Sequence, residues 1–423
     1  MTRPTQSVIS VTAGLRGASW DAARMAALTY TMVPYPLNTS DGQRTLGFLF
    51  SRGGEKTVVC MMHPREMIVT NYLVPDVLEA GCACWVQGPR SVGNDLRLEH
   101  EIALFDVAAG VTHLREIGFE KVVLQGTSGG AALFAFYNQQ SLTEPSQRLA
   151  RTPGGRPTNL SELSMPPVDG LVFVSPHPGQ GLLLMSGIDP SVTDETNPLI
   201  SDAQLDPFNP KNGFKRPPDS SSYSPEFVIR YREAQEARVR KIDAYARGLI
   251  AEKMAAKKRF KETPSREDRM LSGYSPIFEV WRTDADLRAW DLSLDPSDRH
   301  VGSLWGRDPV VSNLGSVGFA RVVTPESWLS TWSGLSSNAS FNKCASSVEQ
   351  PTLLLAYTGD NCVFPADLDA IYIGLRTNSK TRFKVRGNHH GLALGPDEIS
   401  GQIKAGQHIQ TWLKNNFPVK LGA

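Results

Sequence analysis

Short β-rich runs alternate with helical runs over residues 27–175, and the alternation resumes after residue 351. Three of the β-rich runs are continuously apolar, as are strands of a parallel sheet that is covered on both faces. Strands alternating with helices build a mostly parallel sheet with helices on both sides, so the sequence predicts an α/β protein. The predicted strands cover residues 28–33, 45–50, 57–62, 82–86, 122–125, 170–174, 352–357 and 381–385, and the predicted core helices cover residues 67–80, 100–117, 365–375 and 398–413.

After Ser175 the alternation stops for about 175 residues, which is too long for a structureless loop in a compact domain. We therefore expect a large, mainly helical cap at residues 176–350, inserted into a core formed by residues 1–175 and 351–423. A long amphipathic helix is predicted from about Ser224. Five of the eight tryptophans fall within the insertion. They could form the core of the cap or face a hydrophobic substrate.

The motif Gly126-Thr127-Ser128-Gly129-Gly130 stands between an apolar strand and an apolar helix. A serine on such a tight turn adopts a strained backbone, and glycines two positions before and after it let strand and helix approach closely. The helix N-terminus then directs free N–H groups toward an oxyanion beside the serine. A glycine-rich turn with a capping serine is the alternative. A phosphate-binding loop is disfavoured, because neither G-x-G-x-x-G nor a G-K-[ST] ending is present.

A serine hydroxyl becomes a good nucleophile only when a neighbouring base accepts its proton. The stretch Gly387-Asn388-His389-His390-Gly391 follows the last predicted strand and offers two imidazoles. We expect His390 to be the base, because it lies nearer the helix that follows, on the loop that returns above the sheet edge. His389 is the alternative, as a second candidate base or as a neighbour that binds the backbone.

The third partner must be a carboxylate that fixes the imidazole tautomer and stabilises its charged form. Asp360 stands just beyond the predicted strand at 352–357 and before a helix. A turn aspartate or a helix cap is the alternative interpretation. The chain order Ser128, Asp360, His390 is that of hydrolases with a nucleophile elbow.

In these features the chain resembles the α/β-hydrolase superfamily over about residues 27–175 and 351–415. The resemblance rests on the serine elbow, the D-x-x-V-x-P stretch that begins at Asp360 and the G-x-x-H stretch that ends at His390. It implies an eight-stranded, mostly parallel sheet with a cap after the sixth strand. It also implies hydrolysis of an ester, amide, lactone or related bond without a metal or an organic cofactor. It indicates no subfamily.

One segment departs from that pattern. Such hydrolases often carry His-Gly after the third strand, where a backbone N–H helps to bind the oxyanion, whereas this chain has His63-Pro64-Arg65-Glu66. Proline has no N–H to donate. We therefore expect the N–H of Gly129 as one donor and the main chain of Arg65, or of Glu66, as the other.

Further side chains are expected near the substrate because their segments follow predicted strands at the same sheet edge. His63 could instead be a structural histidine, and His177 is expected at the rim of the pocket. The pocket candidates are His63, Glu66, Thr127, His177 and His389.

Together these residues predict a serine hydrolase that forms an acyl-enzyme on Ser128 and acts on a bulky or hydrophobic small molecule. Hydrolysis of a carbon–carbon bond and acyl transfer to an alcohol are alternatives that use the same triad. A ligand-binding protein on a hydrolase fold that has lost turnover is an alternative of another class.

The composition limits the kinds of partner that we expect the protein to bind. The net charge is +1 from 44 basic and 43 acidic residues, so we expect no nucleic-acid partner. No apolar stretch near the start resembles a secretory signal, and none is long enough to cross a membrane. The five cysteines have no metal or redox spacing and are expected to be buried, reduced thiols. A cytoplasmic protein with a small-molecule substrate follows, and exposed faces of the cap could support a homodimer.

Overall fold

The computed structural model describes residues 22–93, 95–316 and 318–419. The expectation that residues 1–20 carry no secretory signal lies outside these ranges. The strands are β1 Thr31–Asn38, β2 Arg44–Ser51, β3 Thr57–Met62, β4 Ala83–Gln87, β5 Lys121–Thr127, β6 Gly170–Val174, β7 Phe278–Glu279, β8 Val322–Val323, β9 Thr352–Tyr357 and β10 Lys380–Val385.

Eight of these strands form one sheet in the order β1-β2-β4-β3-β5-β6-β9-β10, and β7 pairs with β8 separately. The pairs β1–β2 and β2–β4 are antiparallel, and every later pair in the large sheet is parallel. The prediction of a mostly parallel, eight-stranded α/β sheet is therefore confirmed. The carboxyl ends of β3, β5, β6, β9 and β10 meet at one edge.

Helices cover both faces of the large sheet, and others lie between β6 and β9, where β7, β8 and long connections form the rest of the segment. They are α1 Ala22–Ala26, α2 Val74–Glu79, α3 His100–Glu116, α4 Gly129–Leu142, α5 Gln180–Gly187, α6 Pro225–Glu262, α7 Arg266–Gly273, α8 Leu287–Trp290, α9 Pro309–Leu314, α10 Pro325–Ser327, α11 Phe341–Cys344, α12 Pro365–Gly374 and α13 Gly401–Asn416. Among the helices described, none is both long and apolar enough to span a membrane.

Alternate residues of β3 enter different apolar layers, as strand geometry requires. Cys60 packs in the layer that holds α3 and α4. Val59 packs in the layer that holds α2 and α13. The sheet is thus buried on both sides, which explains why its central strands are continuously apolar. All five cysteines are buried and free, as predicted.

The segment between β6 and β9 has apolar clusters of its own. Trp328 and Trp332 are fully buried against α6 residues such as Ile242, and Trp290 is fully buried beside Phe214. Helix α6 has 38 residues, and Ser224 caps it by accepting a hydrogen bond from the N–H of Phe227. The predicted long helix is therefore present, and its length is about 57 Å.

One predicted helix is shorter than expected. Residues 67–80 were expected to be helical, yet α2 begins only at Val74, one residue before Pro75. Proline fits the first turn of a helix and disfavours helical backbone in the residue before it. The chain before α2 instead forms a turn in which the side chain of Asn71 accepts a hydrogen bond from the N–H of Leu73. Apolar spacing alone had extended this helix too far.

Candidate active site

Ser128 stands at the turn between β5 and α4 with φ 53° and ψ −118°, a strained backbone for a residue other than glycine. Its N–H donates to the carbonyl of Val174 on the neighbouring strand at 3.0 Å. A Cβ at Gly126 would lie 2.4 Å from Cα of Ala131, and one at Gly130 would lie 2.4 Å from the carbonyl oxygen of Met62. The close approach of strand and helix therefore requires both glycines.

The side chains of Ser128, His389 and Asp360 form a continuous chain of hydrogen bonds. His389 Nε2 lies 3.0 Å from Ser128 Oγ, and His389 Nδ1 lies 2.8 Å from Asp360 Oδ2. The carboxylate can only accept, so Nδ1 carries the proton and Nε2 is left to accept the serine proton. This is the tautomer that a general base next to a serine requires.

Asp360 is held in place by the backbone that follows it. Its Oδ1 accepts hydrogen bonds from the N–H groups of Cys362 and Val363 at 2.8 and 2.9 Å, and Oδ2 faces His389. The carboxylate and the imidazole are each 1% exposed. The carboxylate is therefore fixed in one orientation, and its charge is screened little by solvent.

The expectation that His390 is the base is wrong in this geometry, because His389 occupies the bridging position. The His390 N–H donates to Asn388 Oδ1 at 2.9 Å, and its carbonyl accepts from Gln402 Nε2 at 2.8 Å. The ring of His390 packs edge-on against that of His389, with 5.0 Å between their centroids. Neither the spacing nor the flanking residues distinguish the two imidazoles, since the turn conformation decides which one faces the serine.

The loop after β3 also differs from expectation. The N–H of Arg65 was expected to face the oxyanion, but it donates to His63 Nδ1 at 3.2 Å. The guanidinium of Arg65 forms two hydrogen bonds to Asp95, at 2.7 and 2.9 Å, and lies over the ring of Trp332. Arg65 therefore has a structural role, and Gly129 remains the backbone donor candidate. Glu66 lies half-buried on the same loop.

Two imidazoles stand beside the first residue of α4. A Cβ at Gly129 would lie 2.9 Å from His63 Nε2 and 3.1 Å from His177 Nε2. His177 was expected at the pocket rim, but it is only 2% exposed. Burial, together with the neighbouring imidazoles of His389, His63 and His100, holds the pKa of His177 well below the usual value for histidine. Its ring is therefore neutral at pH 7.

His100 and Gln180 belong to the same region, and sequence reasoning did not select them. His100 is the first residue of α3 and is fully buried, which lowers its pKa to about 4. Gln180 begins α5, and its Nε2 would lie 3.5 Å from a Cβ at Gly129. A single histidine or glutamine at a helix start carries no sequence signal of function. Thr127, the last residue of β5, is half-buried beside the serine.

Across the described part of the chain, no group of three or more His, Cys, Asp or Glu side chains is arranged to hold a metal ion.

The fold is that of an α/β hydrolase. It is defined by the strand order of the large sheet, by the strained serine after β5 and by the loops that meet at the carboxyl edge of the sheet. No protein-family model matches the chain, and no curated protein does.

Among solved structures, the chain is similar to DcsB in complex with its substrate analogue, with 12% identity, 91% of this chain and 99% of that chain covered, and a TM-score of 0.50. It is also similar to the α/β hydrolase GrgF from Penicillium sp. sh18, with 12% identity, coverage of 92% and 99%, and a TM-score of 0.48. The esterase Pf2001 from Pyrococcus furiosus shares 11% identity, with coverage of 92% and 92% and a TM-score of 0.43. At such identities the likeness concerns the fold.

Proposed function

We propose that the protein is a serine hydrolase that cleaves a carboxylic ester, lactone or related acyl bond of a small molecule through an acyl-enzyme on Ser128. The observation that carries the proposal is the hydrogen-bond chain from Ser128 Oγ through His389 to Asp360, with distances of 3.0 and 2.8 Å. A scaffold without turnover has no need to keep a strained serine in contact with a correctly protonated imidazole.

In the first half of the reaction, Ser128 Oγ attacks the carbonyl carbon while His389 Nε2 accepts its proton. The carbonyl oxygen becomes an oxyanion beside the N–H of Gly129, at the N-terminus of α4, where the helix dipole favours negative charge. Asp360 stabilises the imidazolium. When the tetrahedral intermediate collapses, His389 gives its proton to the leaving alcohol, and the acyl group stays on Ser128.

In the second half, a water molecule attacks the acyl-enzyme while His389 accepts a proton from it. Collapse of the second tetrahedral intermediate breaks the bond to Ser128, whose oxygen regains its proton from His389. The acid product leaves, and the resting enzyme is restored.

The expectation of a bulky or hydrophobic substrate has less support than the reaction type. It depended on the tryptophans of the insertion, but Trp290, Trp328 and Trp332 are fully buried in the cores of that segment. These three rings cannot line a pocket. The proposal therefore specifies the bond that is cleaved and leaves the size of the acyl group to a substrate panel.

A fluorophosphonate probe tests the proposal, because an activated serine attacks its phosphorus, displaces fluoride and becomes phosphonylated. We expect one adduct on Ser128 in the wild type and hydrolysis of a short aryl ester, and neither in Ser128→Ala. Ser141→Ala is the matched control, since Ser141 lies on α4 and its hydroxyl donates to the carbonyl of Asn138. A folded wild-type protein that is neither labelled nor active on a panel of esters and lactones contradicts the proposal.

A further inference from the structure

The loop after β6 holds His177 in a fixed position. Ser175 has φ 42°, which turns the chain sharply as it leaves the strand, and Pro176 and Pro178 flank the histidine. Gly179 follows with φ 136°, and a Cβ there would lie 2.6 Å from the carbonyl oxygen of Ala339. This loop has little freedom to move, so the position of the imidazole is determined by the fold.

The backbone also fixes the tautomer of this imidazole. The N–H of Gly179 donates to His177 Nδ1 at 3.2 Å, so that nitrogen is the acceptor and the proton lies on Nε2. His63 is arranged in the same way, because its Nδ1 accepts from the N–H of Arg65. Two separate loops thus present an Nε2–H donor.

Both donors converge on the first residue of α4. The Nε2 atoms of His63 and His177 lie 2.9 and 3.1 Å from where a Cβ of Gly129 would be. The N–H of Gly129 is the donor that the proposed function assigns to the oxyanion. A Cβ lies about 2.5 Å from its own backbone nitrogen, so both imidazole Nε2 atoms lie within about 6 Å of the Gly129 nitrogen, which is close enough for one oxygen to accept from both donors.

We propose that His177, assisted by His63, donates its Nε2–H to the oxyanion of the tetrahedral intermediate and is therefore a catalytic residue. The proposal rests on the proposed function, since it assigns a second donor to the same reaction. It places the second donor on another loop, whereas on the loop after β3 Pro64 has no N–H and the N–H of Arg65 is directed to His63.

The neutral state of the ring suits this role. His177 is buried beside three other imidazoles, and this keeps its pKa low, so it stays an uncharged donor while His389 gains and loses a proton. A neutral imidazole N–H can polarise a carbonyl oxygen without competing as an acid. In a nearly dry site such a donor stabilises developing charge more than it would in water.

Two variants of His177 distinguish the loss of its hydrogen-bond donor from a change in side-chain volume. Glutamine places a side-chain N–H near the position of His177 Nε2, whereas leucine fills similar space without a donor. We expect His177→Leu to lower kcat on a short aryl ester by about 100- to 1000-fold with little change in KM. We expect His177→Gln to keep kcat within about tenfold of the wild type, because one donor is retained.

A measurement on the wild type reports on the His177 imidazole itself and needs a folded variant only for the assignment of its resonance. A phenylboronic acid adds to Ser128 Oγ and forms a tetrahedral anion that resembles the intermediate. With ¹⁵N-labelled histidine, the Nε2–H proton of His177, assigned by its loss in His177→Gln, should move downfield when the boronic acid binds. If that resonance does not move, His177 is not a donor to the anion.

The outcomes separate the two proposals. A wild type that is neither labelled nor active removes the proposed function. An active wild type with an equally active His177→Leu overturns only the role of His177. Equal losses in His177→Leu and His177→Gln, together with an unmoved resonance, assign a structural role to the side chain and also overturn the inference.

Discussion

At the scale of single residues, the proposed proton transfer from Ser128 depends on His389, whose imidazole contacts both the serine and Asp360. We expect His389→Ala to lower kcat/KM for an aryl ester by about 10⁴-fold or more, because the imidazole that contacts Ser128 Oγ is lost. His390→Ala is the control and should stay within about tenfold of the wild type, since the interactions of its backbone survive the change. Initial rates of both folded variants decide the matter. A larger loss in His390→Ala would reverse the assignment.

The glycines beside the serine should differ in what they control. A Cβ at Gly129 would contact the two imidazole Nε2 atoms, whereas one at Gly130 would meet the carbonyl of Met62. We expect Gly129→Ala to lower kcat at least tenfold, because small displacements of active-site groups reduce the rate strongly. Its free energy of unfolding should change by about 1 kcal/mol or less. Gly130→Ala should instead lose about 2 kcal/mol of stability through overpacking. Measurements of kcat and of the denaturant midpoint on both variants distinguish a loss of activity from a loss of stability. If both variants lose kcat and stability to the same extent, the expectation is contradicted.

At the scale of elements, Gly248 is an exposed residue inside the long helix α6, and a Cβ there would meet no atom within 4 Å. We expect Gly248→Ala to raise the free energy of unfolding by about 1 kcal/mol, because alanine is the better helix former. Gly118→Ala is the matched control. Its site is equally open, but φ of 102° disfavours a side chain, so it should lower stability. Calorimetric unfolding midpoints check both directions, and a lower midpoint for Gly248→Ala contradicts the expectation.

The elements that the sequence predicted well are those with strong patterns and clear ends. The strands at 57–62, 170–174 and 352–357 coincide with β3, β6 and β9, because continuous apolar runs bounded by turns leave little choice. The helix predicted at 67–80 failed in its first half. Apolar spacing was the only signal there, and Pro75 placed the helix start further along the chain.

At the scale of the whole molecule, the candidate site joins residues that are far apart in sequence. Ser128 and His389 are 261 residues apart, and strand topology alone predicts that they meet at one sheet edge. Motif and topology were sufficient for Ser128 and Asp360. They were not sufficient for His389 or for the orientation of His177, because both depend on the local turn geometry of a loop, which no periodic pattern encodes.

A buried carboxyl links the core helix α3 to the segment between β6 and β9. Glu101 Oε2 accepts from the hydroxyl of Ser330 at 2.5 Å, and Oε1 accepts from the amide of Asn338 at 2.9 Å. Burial raises the pKa of Glu101 to about 7, and nearby Glu99 acts in the same direction. These hydrogen bonds connect α3 to the segment between β6 and β9 through a carboxyl group whose charge depends on pH.

The sign of the resulting pH dependence follows from proton binding. Between the ordinary pKa of a glutamate and about 7, the folded protein holds a proton on Glu101 that the unfolded chain has lost, so this group stabilises the fold at low pH and the contribution disappears as pH rises through 7. We expect Glu101→Gln to gain up to about 3 kcal/mol of unfolding free energy relative to the wild type between pH 5 and pH 8. Glu116→Gln, an exposed change on the same helix, is the control and should show a difference that is nearly constant with pH. Denaturant titrations of the three proteins at both pH values measure the effect. A constant difference for Glu101→Gln would mean that Glu101 is already ionised at pH 5 and that its carboxylate charge is tolerated at the junction between α3 and the long segment.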